Sequence, residues 1–204
     1  MSHFVICIDR ACGSGGKVIG HLTAEKLGIG FYDSNLLDLA KEHGGITSDS
    51  LDHSDERATN PFFYKLLYEG NENVEPERPA TEMLFQLQSA VIKQVTTQED
   101  CVIVGRCADF VLKDIEDVQT LNVFISSPMN HRIEREMEVD NLSRTQAKAF
   151  IRKTDKRRSS YYNCFAKGEW GKKNTYDLIL NSDSLGIEGT ADILCALYKE
   201  LRQK

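Results

Sequence analysis

The sequence lacks the parts on which several kinds of protein depend. No apolar run approaches the roughly 20 residues of a membrane span, so no membrane partner is expected. No leader peptide is evident. Cys7, Cys12, Cys101, Cys107, Cys164 and Cys195 form no C-x-x-C pair. That argues against zinc sites and disulfides, and for the reduced, mostly buried thiols of a cytoplasmic protein. His21, His43 and His131 suggest no metal or nucleophile arrangement, and no Cys-His or Ser-His pairing stands out. A net charge of −6 argues against a nucleic-acid backbone as the main partner. There is no internal repeat and no low-complexity tract. What remains is 204 residues, enough for one domain with a sizeable core.

Short apolar runs punctuate the chain. Phe4–Ile8, Cys101–Val104, Leu121–Ile125 and Tyr176–Leu180 read as buried strands, and Ile29–Tyr32 as a shorter one. Amphipathic segments separate them. Val18, Ile19, Leu22 and Leu27 recur at helical spacing, with Gly28 as C-terminal cap. Asp33 or Ser34 can cap a helix carrying Leu36, Leu37, Leu39 and Ala40. A long helix is predicted over 81–97, and another from Ser127-Pro128, with Ser as N-cap and Pro at the first position. Ser143-x-x-Gln146 is a capping box opening a basic helix, and a last helix is predicted from Ile187 to Leu201. Residues 43–80, rich in polar residues, Gly and Pro, read as a mobile helical insert. The alternation predicts parallel β-α-β units, three layers deep, around a five-stranded sheet.

The most informative stretch joins the first strand to the first helix: Asp9-Arg-Ala-Cys-Gly-Ser-Gly-Gly-Lys17. Glycines let successive N–H groups converge on one anion at a helix start, so the layout suits phosphate, although a plain turn has the same composition. The fit to G-x-x-x-x-G-K-[ST] is imperfect. With Gly16-Lys17 as the G-K pair, Ala11 holds the leading Gly slot and Val18 the hydroxyl slot. With Gly13-Ser14-Gly15 as the G-S-G of small-molecule kinases, Gly16 holds the lysine slot and Lys17 the hydroxyl slot.

Other segments can act with this loop. Asp33, after a strand, can accept hydrogen bonds from a base or sugar, or cap a helix. Arg106, at the end of a core strand, suits a phosphate, or is a surface residue paired with Asp109. Arg132 and Arg135 stand three apart on one helix, as solvated pairs often do. Between Arg144 and Arg158 seven Lys or Arg face one acid, Asp155. That run reads either as a phosphate clamp or as a solvated face.

In order, these segments resemble the cytidylate kinase branch of the nucleoside monophosphate kinases. They are closer still to the cytidylate kinase-like proteins whose loop reads G-S-G-G-basic. Gly13–Lys17 is that loop. Phe31-Tyr32-Asp33-Ser34 resembles Y-x-D-T at the acceptor site, and Val104-Gly105-Arg106 resembles D-G-R, whose Arg meets the acceptor phosphate. Thr154-Asp155-Lys156-Arg157 resembles the E-R-D-x-R start of the lid. Tyr176–Ser182 and Leu185–Glu188 resemble the family's D-A-L-V-L-D-S-T-x-L-S-I-D-E ending. The departures are local. The family's loop Lys aligns with Gly16 and its Ser/Thr with Lys17. Its acceptor Tyr-Arg aligns with Asp38-Leu39, and a lid Arg is replaced where Tyr161 and Tyr162 stand.

The resemblance implies a three-layer α/β/α P-loop NTPase-like fold with a helical acceptor-binding insert and an arginine-rich lid over 144–170. It implies transfer of the ATP γ-phosphoryl group to a nucleoside monophosphate, CMP or dCMP. The phosphates of ATP are then assigned to Gly13, Ser14, Gly15, Gly16 and Lys17, with Arg132 also on the nucleotide. The acceptor is assigned to Asp33 and Arg106. Asp155 either orders neighbouring arginines or touches the acceptor sugar. Transition-state charge falls to Lys17, Arg152, Arg157 and Arg158. Arg157 is favoured over Arg158, with Arg152 as its partner. Mg²⁺ is expected on phosphates and water, with Ser14 or Asp9 as the protein contact. Two other readings stay open: a nucleotide-binding sensor without turnover, and a kinase for a different small acceptor whose pocket the 43–80 insert shapes.

Overall fold

The computed structural model describes residues 2–33, 80–166 and 168–203. The 43–79 stretch of the expected insert, and the helix expected after Asp33, lie outside the described residues.

Eleven elements follow in chain order among the described residues: β1 (His3–Arg10), α1 (Gly16–Leu27), β2 (Gly30–Tyr32), α2 (Ala80–Thr96), β3 (Cys101–Val104), α3 (Ala108–Leu112), β4 (Val118–Ser126), α4 (Met129–Asp140), α5 (Arg144–Phe165), β5 (Leu178–Asn181) and α6 (Ser182–Arg202). The strands form one parallel sheet in the order β2-β3-β1-β4-β5. Both faces of β1 are covered, which is why its apolar run is continuous. Phe4, Ile6 and Ile8 pack with Ile19 of α1 and with Ala191 and Leu194 of α6. Val5 and Cys7 pack on the opposite side with Val91, Ile92, Val111 and Leu112 of α2 and α3. The sheet is thus the middle of three layers, as expected. All strands point their C-terminal ends to one edge, where open parallel sheets bind ligands.

The local signals mostly act as read. Gly28 caps α1 in the left-handed conformation, at φ 66°. Ser143 and Gln146 exchange both bonds of the capping box at the start of α5. Three details differ. The five-residue helix α3 was not anticipated; it is too short to show a period. Pro128 is the N-cap of α4 rather than its first residue, because its ψ of 144° is extended while its carbonyl already accepts the Arg132 N–H. The last helix opens at Ser182, capped by Asn181, and breaks at Gly186 (φ 69°, ψ 172°) before the predicted stretch from Ile187.

Candidate functional site

The β1–α1 loop lies at the C-terminal edge of the sheet. Gly15, at φ 77°, is the N-cap of α1, and the first intrahelical bond runs from Ile19 N–H to the Gly15 carbonyl. The amides of Gly16, Lys17 and Val18 therefore have no carbonyl one turn back, and they open towards an anion. Gly13 is left-handed as well, and a Cβ there would come within 2.7 Å of the Arg132 carbonyl oxygen. A side chain at Gly15 would meet Ile187 and Arg135, at 2.5 and 2.9 Å. The glycines are required by close approach and by conformation.

The loop's outer half is held by charge. Arg132 is buried, at 8% exposure. Its Nε donates to the Cys12 carbonyl at 2.8 Å, and its Nη2 donates to Asp155 Oδ2. Asp155 Oδ1 in turn accepts the Cys12 N–H at 2.8 Å. One residue from α4 and one from α5 thus clamp both backbone groups of Cys12. Asp155 does order an arginine, but that arginine is Arg132, and the third party is the loop. Sequence spacing made Arg132 and Arg135 look alike; instead Arg132 is a buried strut and Arg135 lies over Gly15.

The basic helix α5 turns one stripe inward: Ile151, Thr154 and Tyr162 are buried. Arg158 lies on this side and donates from Nη1 to the Arg10 carbonyl at 3.1 Å. Arg152 and Arg157 are exposed. The geometry therefore departs from the expectation that favoured Arg157, and it does so because Arg158 follows Ile151, Thr154 and Asp155 around the helix. Tyr161 donates to Gln88 of α2 at 3.0 Å and Tyr162 donates to Asp109, tying the end of α5 down.

That last bond decides a point the sequence left open. Asp109 is bonded to Tyr162, and Arg106 makes no ion pair among the described residues. Burial raises the pKa of Asp109 despite the Tyr162 hydroxyl. Gly105, Arg106 and Cys107 are all left-handed, at φ 80°, 62° and 54°. Two consecutive non-glycine residues in this region carry strain of order 1–2 kcal/mol each, a pattern associated with functional turns.

Arg10 was missed in the sequence, hidden as the last residue of β1. Its stem packs on Gly16, whose Cβ would lie 2.5 Å from Arg10 Cβ, and its guanidinium lies over Gly105. Its Nε is buried without a hydrogen-bond partner. Burial above all, with Arg158 and Arg106 adding to it and Asp9 opposing, lowers its pKa to about 10. Arg10 thus lies beside the loop with two further positive charges near it, Arg158 bonded to its carbonyl and Arg106 within electrostatic reach. The available signal was a charged side chain directly before a glycine loop.

The remaining expected residues fall on either side. Lys17 Nζ pairs with Asp33 Oδ2 at 2.5 Å, with Lys17 mostly exposed and Asp33 buried. Ser14 is fully buried and is not free to hold a phosphate as expected: its hydroxyl and its N–H both donate to the Ala11 carbonyl, at 2.8 and 3.2 Å, and its own carbonyl accepts from the Ser182 hydroxyl at 2.7 Å. Asp9 accepts from the Arg10 N–H at 2.9 Å and from Tyr176 at 3.1 Å. Among the described residues no three His, Cys, Asp or Glu side chains are grouped to hold a metal ion. The Ser14 hydroxyl, turned to Ala11, does not fit the expected Mg²⁺ contact, and both carboxylate oxygens of Asp9 already accept hydrogen bonds from the protein. Beyond Arg135 a cleft of about 390 Å³ opens between α4 and the start of α6, lined by Ser127, His131, Glu134 and Asp183.

A sequence profile of the cytidylate kinase-like family matches residues 5–184, nearly the whole chain. The chain belongs to the cytidylate kinase-like family. None of the curated proteins compared with it matches. Among solved structures, an uncharacterized protein from Eubacterium ventriosum superimposes with TM-score 0.68 at 22% identity, covering 97% of this chain and 99% of that one. Shikimate kinase from Bacteroides thetaiotaomicron gives TM-score 0.52 at 18% identity, covering 96% and 98%. TT1252 from Thermus thermophilus gives 0.53 at 16%, covering 98% and 99%. These likenesses establish the P-loop NTPase fold. No described helix of this cytidylate kinase-like chain is long and apolar enough to cross a membrane.

Proposed function

We propose that the protein transfers the γ-phosphoryl group of ATP to a nucleoside monophosphate, with CMP or dCMP as the preferred acceptor. The observation that carries this reading is the buried Arg10, packed against Gly16 and Gly105 with Arg158 on its carbonyl, beside a glycine loop with free helix-start amides. Phosphoryl transfer asks little covalent chemistry of a protein. It needs two phosphates aligned, charge neutralised and water kept out. In this reading the amides of Gly13, Gly15, Gly16 and Lys17 cradle the donor phosphates, the Ser14 amide being held by Ala11. The donor nucleoside occupies the cleft beside Arg135, whose volume suits one. The acceptor phosphate meets Arg106 from the β3 side, with Asp33 near its sugar or base. Arg10 and Arg158 stand between donor and acceptor, where charge develops.

The altered loop favours a second reading, a nucleotide sensor without turnover. An ADP-release assay across nucleoside monophosphates separates the two. The expected result is steady ADP release that depends on the acceptor and is fastest with CMP or dCMP. ATP binding without release for any acceptor would support the sensor. Release with a non-nucleotide hydroxyl compound only would move the acceptor class.

A further inference from the structure

Phosphate loops of the G-x-x-x-x-G-K-[ST] type hold Mg²⁺ through the hydroxyl after the lysine and through an aspartate at the end of a neighbouring strand. Both positions can be located here. Helix α1 opens at Gly16, the residue that takes the lysine slot when Gly13-Ser14-Gly15 is read as G-S-G. A side chain at Gly16 has no room, because Arg10 occupies the space. Lys17, the next residue, therefore stands in the hydroxyl slot. Its ammonium is 2.5 Å from Asp33, a buried carboxylate at the end of β2. The end of β3, where D-G-R would place the carboxylate, is Val104, which is buried and faces the α1 side of the core. The Ser14 hydroxyl donates to Ala11, and Asp9 accepts from Arg10 on one oxygen and from Tyr176 on the other. The carboxylate that ends β2 thus holds an amine, carried by the second residue of α1.

We infer that this site binds a nucleoside triphosphate without a protein-ligated divalent cation, Lys17 taking the place of the metal and Arg10 that of the loop lysine. The inference rests on the nucleotide reading above. An ammonium carries three donors, so Lys17 can keep Asp33 and still bridge to a phosphate oxygen. Mg²⁺ requires near-ideal octahedral oxygen ligation, and neither a valine nor an ammonium supplies a ligand. The Arg10 fork, with its unpartnered Nε, supplies the planar second contact. Any Mg²⁺ that arrives with ATP then touches phosphate and water, and its removal leaves the protein's own contacts intact.

The test is calorimetric titration of the full chain with AMP-PNP, once with Mg²⁺ and once with EDTA. The expected Kd values differ by less than about fivefold. Lys17→Thr, which restores a hydroxyl, is expected to weaken AMP-PNP in EDTA by about tenfold or more relative to Mg²⁺. Circular dichroism confirms that the variant is folded, and the wild-type pair of titrations decides without it. Tightening of wild-type binding by Mg²⁺ of about fivefold or more overturns this inference and leaves the nucleotide reading standing. Absence of binding in both buffers overturns the two together.

Discussion

Asp155→Ala is expected to destabilise the protein by about 3 kcal/mol or more, measured by denaturant unfolding. Asp155 sits among the basic residues of α5, yet its partners lie elsewhere: the Cys12 amide and the Arg132 guanidinium. Both it and Arg132 are largely screened from water, with side chains 20% and 10% exposed. Removing the carboxylate leaves a buried cation and an unsatisfied N–H at once, each costly on its own. Asp155→Asn keeps an acceptor for Cys12 and should lose less. Arg132→Met with Asp155→Ala removes both charges, so the double variant should recover much of the single loss, the signature of a coupled pair. Nucleotide affinity should fall in the single variant, because Cys12 immediately precedes Gly13. An Asp155→Ala protein as stable as the parent would show that the pair is surface decoration.

Arg10→Ala is expected to lower turnover in the ADP-release assay by roughly 10²–10³-fold, the loss typical of a contact made to developing charge. The reason lies in its surroundings. Burial and two neighbouring guanidiniums draw its pKa down to about 10, so it remains charged at neutral pH against repulsion that only Asp9 offsets. Such an arrangement favours the bound anion over the empty site. Arg10→Lys should stay impaired, because an ammonium cannot reproduce the guanidinium fork that lies over Gly105. Stability should change much less than rate. The variant loses packing on Gly16 and one contact of Asp9, but it also sheds the repulsion, and Arg158 keeps its bond to the residue-10 carbonyl. A variant with full turnover would remove Arg10 from the mechanism.

The layered sheet was readable because its signals are local or periodic. The runs at Phe4–Ile8 and Cys101–Val104 have no polar face, so only a sheet covered on both sides accommodates them. Gly28 and Ser143 act within one turn of themselves. The site was less readable because its decisive contacts join residues far apart in the chain. Asp155 meets Cys12 across 143 positions and Arg132 meets it across 120. Arg158 was preferred over Arg157 only once Ile151 and Thr154 showed which face of α5 is buried. Arg10 escaped notice because a strand's last residue carries no period, and its partners Gly16 and Gly105 are informative only through the space they leave.

A crystal structure of the full chain with ADP reads directly where the nucleotide's phosphates sit. The expected result places the β-phosphate against the amides of Gly13, Gly15, Gly16 and Lys17, with the Arg10 guanidinium in contact and the base in the cleft beside Arg135. ADP bound away from residues 11–17, or phosphates at the loop with Arg10 turned away from them, would contradict it.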